Sequence, residues 1–206
     1  MVRDTQSFQR KKPRFKQQPT TLILCEDTKS SLNYLKSASR HFRSYALVQI
    51  LHTGKTDPLG IVREATKQRG KFDSVYCVID RDSHHNFEEA LAAAAVADVR
   101  MIVSYPCYEY WLLLHFRRTR KGFASIGNHS AADRLIKELR KEAGMDGYAK
   151  GSSTDWFVTV LPNLPAAIAN SRATLKVAID EQSMNPSTQM HELIHQLELL
   201  GAPAKV

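Results

Sequence analysis

From Thr20 onward, short apolar runs alternate with segments whose apolar residues recur at helical spacing. "TTLILCE", "YALVQIL", "SVYCVID" and "VRMIVSY" have the length and composition of buried strands. Between them, "SSLNYLKSASRHF", "PLGIVREATKQR" and "NFEEALAAAAVAD" read as helices, the second opened by Pro58 and the third by Asn86 as N-cap with glutamates behind it. Strand and helix in alternation predict a parallel sheet with crossover helices, a Rossmann-like α/β half.

Beyond Tyr108 the strand signals stop. "YEYWLLLHF" predicts a short apolar helix, "SAADRLIKELRKEAG" an amphipathic one with Ser130 and Asp133 in capping positions, and "LPAAIANSRATLKVAIDE" and "STQMHELIHQLELLG" two more. The expected organisation is one domain over residues 20–203, with an α/β core at 20–107 and a helical region at 108–203 packed on it.

Residues 1–19 differ in kind. They carry Arg3, Arg10, Lys11, Lys12, Arg14 and Lys16 against Asp4 alone, which is +5 of the chain's net +8. Without an apolar period, such a segment does not bury enough surface to offset its ordering entropy, so a disordered basic tail is expected. No apolar run reaches the roughly 18 residues of a membrane span, and the N-terminus lacks the apolar core of a secretion signal. Cys25, Cys77 and Cys107 are odd in number, share no CxxC spacing and each lie in or beside an apolar segment. They read as reduced core thiols, and the chain as cytoplasmic with no membrane partner.

The chemistry gathers at strand ends. In parallel sheets, ligands bind beyond the C-terminal ends of the strands. The first strand ends in Glu26-Asp27 and the third in Asp80-Arg81-Asp82. Residues two apart on an extended chain point the same way, so Asp80 and Asp82 can face one point while Arg81 faces away. If the first and third strands are neighbours, Glu26 joins them. Carboxylates brought together this way repel unless a cation compensates, and oxygen ligands suit Mg²⁺ or Mn²⁺. Such a metal serves phosphodiester hydrolysis. The bland alternative is that these acids cap a helix or end a strand in solvent.

"LILCEDTKSSLNYL", "VYCVIDRDSH", "SYPCYEYWLLLHF" and "NPSTQMHELIHQL", in this order and spacing, resemble the RloB family, which includes the AbiL-type abortive-infection component. The resemblance covers about residues 20 to 200. It implies a TOPRIM-like α/β fold, a mainly parallel sheet flanked by helices with a C-terminal helical region. It implies Mg²⁺ held by Glu26, Asp80 and Asp82, and nuclease action on DNA or RNA, including tRNA. It also implies a role in anti-phage defence beside an ABC/AAA-like ATPase. Three positions depart from the family pattern: Asp27 stands where glycine is usual, and Tyr105 and Tyr108 replace an asparagine and a phenylalanine of the third block. A side chain at 27 would crowd a metal or add a ligand to it.

Glu109, near the start of the helix after the fourth strand, is a candidate further ligand or general base, with a dipole-favoured carboxylate as the alternative. His84, beside the D-x-D, is a candidate proton donor or phosphate contact. His115, between Leu114 and Phe116, reads as a hydrogen-bonded core histidine. "HELIH" at His191–His195 matches the zinc-peptidase pattern, but Glu198 stands where a metzincin needs glycine, and the residues fit an apolar helical stripe. "HTGKTDP" lacks the first P-loop glycine, since position 49 is Gln49, which leaves Lys55 as a phosphate contact. "FRRTRKGF" sets Arg117, Arg118, Arg120 and Lys121 between two aromatics, as a single-strand grip would, and Arg81 is a further cation at the site. Two function classes follow: a metal-dependent nuclease, with Glu109 and His84 assisting the three acids, or a non-hydrolytic metal- and nucleic-acid-binding or ATPase-docking module.

Overall fold

The computed structural model of the protein describes residues 20–81 and 85–202. The expected tail, Asp82 and His84 therefore lie outside the described residues. Four parallel strands and one short antiparallel strand form a single sheet in the order β2-β1-β3-β4-β5. They are β1 (Thr21–Cys25), β2 (Val48–His52), β3 (Ser74–Asp80), β4 (Arg100–Tyr105) and β5 (Ser187–Thr188). Helices α1 (Ser30–His41), α2 (Pro58–Gln68) and α3 (Phe87–Val96) connect the parallel strands. This is the α/β architecture that the alternating pattern predicts.

β1 and β3 are continuous apolar runs because they are covered on both faces. Alternate side chains serve two cores. Ile23, Tyr76, Val78 and Ile102 pack under α1 and the C-terminal helices. Leu22, Leu24, Cys77 and Ile79 pack under α2 and α3. All three cysteines are free and buried, as core thiols should be.

The C-terminal half supplies α4 (Glu109–Leu113), α5 (Ala131–Leu139), α6 (Trp156–Val160), α7 (Leu164–Asp180) and α8 (Met190–Gly201). Their buried residues join the α1 face of the sheet in one cluster that runs from Ile23 and Tyr34 to Leu193 and Leu197. Ser130 and Asp133 form the full capping box at the start of α5. Asp57 caps α2 through the Gly60 amide at 2.7 Å and accepts from Asn86 Nδ2 at 3.1 Å, tying the starts of α2 and α3 together. Asn86 thus spends its side chain on Asp57 and makes no cap bond to its own helix.

One local expectation needs correction. Strands do not stop at Tyr108, because Ser187 and Thr188, expected within the last helix, pair antiparallel with Tyr105 and Ser104. Gln189 seals this edge, its amide donating to the Val103 carbonyl and its side chain accepting from the Val103 amide, both at 3.0 Å. An open sheet edge attracts any chain able to satisfy its amides, but two residues are too few for a periodic signal. Among the described residues no helix is long and apolar enough to cross a membrane.

α8 closes against α1 at Gly201, where an added Cβ would lie 1.6 Å from the Phe42 carbonyl oxygen. Gly201→Ala is expected to cost about 1–3 kcal/mol and to lower the melting temperature by several degrees. A melt unchanged within error would show that the last turn does not bear on α1.

Candidate functional site

β1 and β3 are direct neighbours, with Cys25 in register with Val78. One residue further, the Glu26 amide donates to the Val78 carbonyl at 3.1 Å, and Glu26 Oε2 accepts from the Asp80 amide at 2.9 Å. The pairing thus carries Glu26 to the end of β3. Asp80 closes the strand with its side chain only 16% exposed, and its Oδ1 accepts from the Tyr108 amide at 2.8 Å. Tyr108 and Glu109 follow β4, and Glu109, at the start of α4, is a third acid near the same edge.

Glu109 is fully buried. Its Oε1 accepts from the Tyr148 hydroxyl at 3.0 Å, while its Oε2 has no hydrogen-bond partner. The loop after α5 also brings Lys150, whose Nζ lies 4.0 Å from Asp80 Oδ2. Burial first, then the Glu109 charge, push the Asp80 carboxyl well above the usual carboxylate range; Glu26 adds to this and Lys150 opposes it. For Lys150, burial alone would lower the amine, but Glu109 and Asp80 outweigh it and hold the amine above its ordinary value. Lys150 is the residue that sequence reading missed. "MDGYAKGSST" is loop-like, and nothing local to it marks a lysine that will meet an acid on β3.

Of these groups, Asp80 and Lys150 border a cavity of about 590 Å³ whose walls also include Arg81, Cys107, Phe123, Ser130 and Ile136. The donor chemistry suits a hard divalent cation: oxygen ligands only, one orphaned buried carboxylate oxygen, and an acid destabilised by its like-charged neighbours. Among the described residues no group of three or more His, Cys, Asp or Glu side chains is placed to hold a metal ion. Asp82, the third expected ligand, is outside them. The described part therefore provides the chemistry of such a site without a full ligand set.

Asp27 does not crowd this edge. Its carboxylate turns back to the start of α1, accepting from the Lys29 amide at 2.8 Å, the Ser31 amide at 2.9 Å and the Ser31 hydroxyl. Tyr108 packs edge-on to Tyr34 with ring centroids 5.8 Å apart, inside the aromatic core.

The expected nucleic-acid contacts divide. Arg117 is held by Glu138 at 3.0 Å and Glu142 at 2.9 Å. Arg120 is held by Glu181 and by the Ser183 and Pro186 carbonyls. Both serve to dock the C-terminal helices. Phe123 is buried and Phe116 half-buried, so neither offers a face for stacking bases. Arg118 and Lys121 are exposed. Arg81 lies over the Phe87 ring at 4.2 Å and pairs with Glu88 at 3.5 Å. Lys55 is exposed in the loop after β2, two strands from β3.

His115 is the core histidine expected, with Nδ1 3.0 Å from the Trp111 carbonyl and Nε2 3.3 Å from the Tyr34 hydroxyl. Burial lowers it to about 4, so it stays neutral. His191 is buried against the Ser171 hydroxyl at 2.8 Å, and His195 faces solvent beside Glu198 at 3.7 Å. The HELIH pattern is a helix face, and its first histidine belongs to the core.

The profile of a family described as RloB-like protein matches residues 21–197. No curated protein and no solved structure matches the chain.

The Asp80 environment has a stability consequence. A buried acid with a raised folded pKa binds its proton more tightly folded than unfolded, so the folded state loses stability as pH rises from about 4 through the folded value. Asparagine keeps the acceptor for the Tyr108 amide and removes the charge. Asp80→Asn should therefore melt higher than wild type at pH 7 in EDTA, by about 2–4 °C per kcal/mol relieved, with the gap closing near pH 4. A lower melt at pH 7 would mean that the charge is stabilising where it stands.

Proposed function

Because this chain belongs to the RloB-like family and gathers Glu26, Asp80, Glu109 and Lys150 at one sheet edge, we propose that it is a metal-dependent phosphodiesterase acting on nucleic acid. The observation that carries this reading is Asp80, held at the end of β3 among other acids and facing the 590 Å³ cavity with Lys150 beside it. The family resemblance supports a TOPRIM-type nuclease of an anti-phage abortive-infection system, working in the cytoplasm with an ABC/AAA-like ATPase.

Glu26, Asp80 and Asp82 are the residues that would hold Mg²⁺ or Mn²⁺. The bound cation would polarise a phosphoryl oxygen and acidify water. Hydrolysis forms a P–O bond from water, breaks one to the leaving oxygen, and leaves negative charge on the non-bridging oxygens. Lys150 is half-exposed on the cavity wall, where its ammonium meets that charge. The Tyr108 amide fixes Asp80, and the Tyr148 hydroxyl fixes Glu109 from behind. Glu109, fully buried, acts here as a ligand or positioning group. His84 remains the proposed donor to the leaving oxygen.

One observation favours a second reading. Lys150 already places a cation near Asp80, as a site built to bind without cutting would. In that case the same edge belongs to a non-hydrolytic binding or ATPase-docking module.

Plasmid DNA, single-stranded DNA and total tRNA, incubated with Mg²⁺ or Mn²⁺ and with or without the partner ATPase, separate the two readings. The nuclease predicts metal-dependent cleavage that is abolished in Asp80→Ala. In Lys150→Met, kcat should fall about 10²–10³-fold with little change in KM, the scale of losing one charge-stabilising group. Binding without cleavage in every arm supports the module. Cleavage indifferent to both substitutions rules out this edge as the active site.

A further inference from the structure

A second cavity, of about 340 Å³, adjoins the first, and the two share Phe123 and Asp133 in their walls. Its lining is basic: Lys121, His129, Arg134, Lys137 and Lys141 outnumber Asp133 and Glu138. Arg134, Lys137 and Lys141 recur at helical spacing along α5 and the turn beyond it, which sets them on one face.

The partners of these cations distinguish them. Glu138 is engaged by Lys141 at 2.7 Å and by Arg117, which hold its carboxyl down at about 2. Asp133 is committed to Ser130 in the capping box. Arg134 donates to the Ala124 carbonyl at 2.7 Å. Lys121 and Lys137 are exposed and make no ion pair among the described residues. Two uncommitted ammonium groups thus face a concave surface that runs into the carboxylate cavity. A merely solvated lysine face would be convex and would lead nowhere.

We infer that this α5 cavity is a phosphate-binding track, and that the substrate is a polynucleotide strand whose backbone crosses it on the way to Asp80. The inference rests on the phosphodiesterase reading and names its substrate class: a chain with phosphates beyond the scissile one, gripped without regard to sequence or sugar. Small phosphoesters reach only the carboxylate cavity and gain nothing from Lys121 or Lys137. Of the predicted basic run the track keeps Lys121 and adds Lys137 on α5, while Arg117 and Arg120 are spent on docking helices.

The test is fluorescence anisotropy of labelled 20-nucleotide single strands, RNA and DNA, in EDTA so that nothing is cut, across a salt series. Each lysine–phosphate contact contributes about 0.7 to the slope of log affinity against log salt on a single strand. Lys121→Ala/Lys137→Ala should therefore lower that slope by about 1.4 and weaken binding about tenfold at low salt. Lys67→Ala/Lys71→Ala, at the end of α2 and in the turn before β3 and in the wall of neither cavity, should leave the slope alone. Melting temperatures confirm that each variant is folded. An unchanged slope in Lys121→Ala/Lys137→Ala, an equal drop in the control pair, or no strand binding by wild type overturns the track. A parallel digestion with Mg²⁺, with and without the partner ATPase, keeps the two proposals apart: a lowered slope without cleavage in either arm leaves the track standing and removes the nuclease. Cleavage with an unchanged slope does the reverse.

Discussion

The parallel pairing of β1 with β3 is the constraint on which the rest of the site depends. It sets Cys25 beside Val78, and the next residue of the first strand then has its carboxylate at the Asp80 amide. Slipping the register by one residue would turn Ile23 and Leu24 to the wrong cores and move Glu26 away from Asp80. The two hydrophobic clusters, one on each face of the sheet, resist such a slip. Packing that has nothing to do with chemistry therefore fixes the chemical geometry.

That geometry is electrostatically costly. Asp80 sits beside Glu26 and Glu109 with little solvent to screen it, and its carboxyl is displaced upward as a result. The protein offsets part of the cost with backbone donors and part with Lys150, at 4.0 Å. Glu109 keeps one oxygen unpartnered in a fully buried position. Buried polar atoms are nearly always satisfied in folded proteins, and exceptions cluster where function is served. A site held away from its most stable arrangement is what a binding or catalytic edge requires.

The C-terminal helices do more than cover the sheet. The loop after α5 carries Tyr148 and Lys150 to the acids, and α5 itself walls both cavities. Arg117 and Arg120 clamp this region through Glu138, Glu142 and Glu181. The α/β half thus presents Glu26 and Asp80, and the helical half adds Glu109 and the ammonium of Lys150. One cluster of buried residues runs through both, so the two halves share a core.

Local pattern determined the elements: β1 to β4, the capped α2 and α5, and the amphipathic α8 follow from periodicity and end signals contained within a few residues each. It also marked Glu26 and Asp80, because acids that terminate apolar runs stand out along the chain. His115 and His191 were legible as core residues for a similar reason, set among apolar neighbours at helical spacing. Tertiary structure alone decided that Asp27 turns to cap α1, that Arg117 and Arg120 are spent on other helices, that Ser187 and Thr188 extend the sheet, and that Lys150 meets Asp80. Each of these depends on a partner far away in sequence, and a side chain's immediate neighbours along the chain hold no record of which distant group will neutralise or accept from it. Periodicity reports which face is buried; only the packed chain brings a lysine from a glycine-rich loop to an acid at the end of a strand.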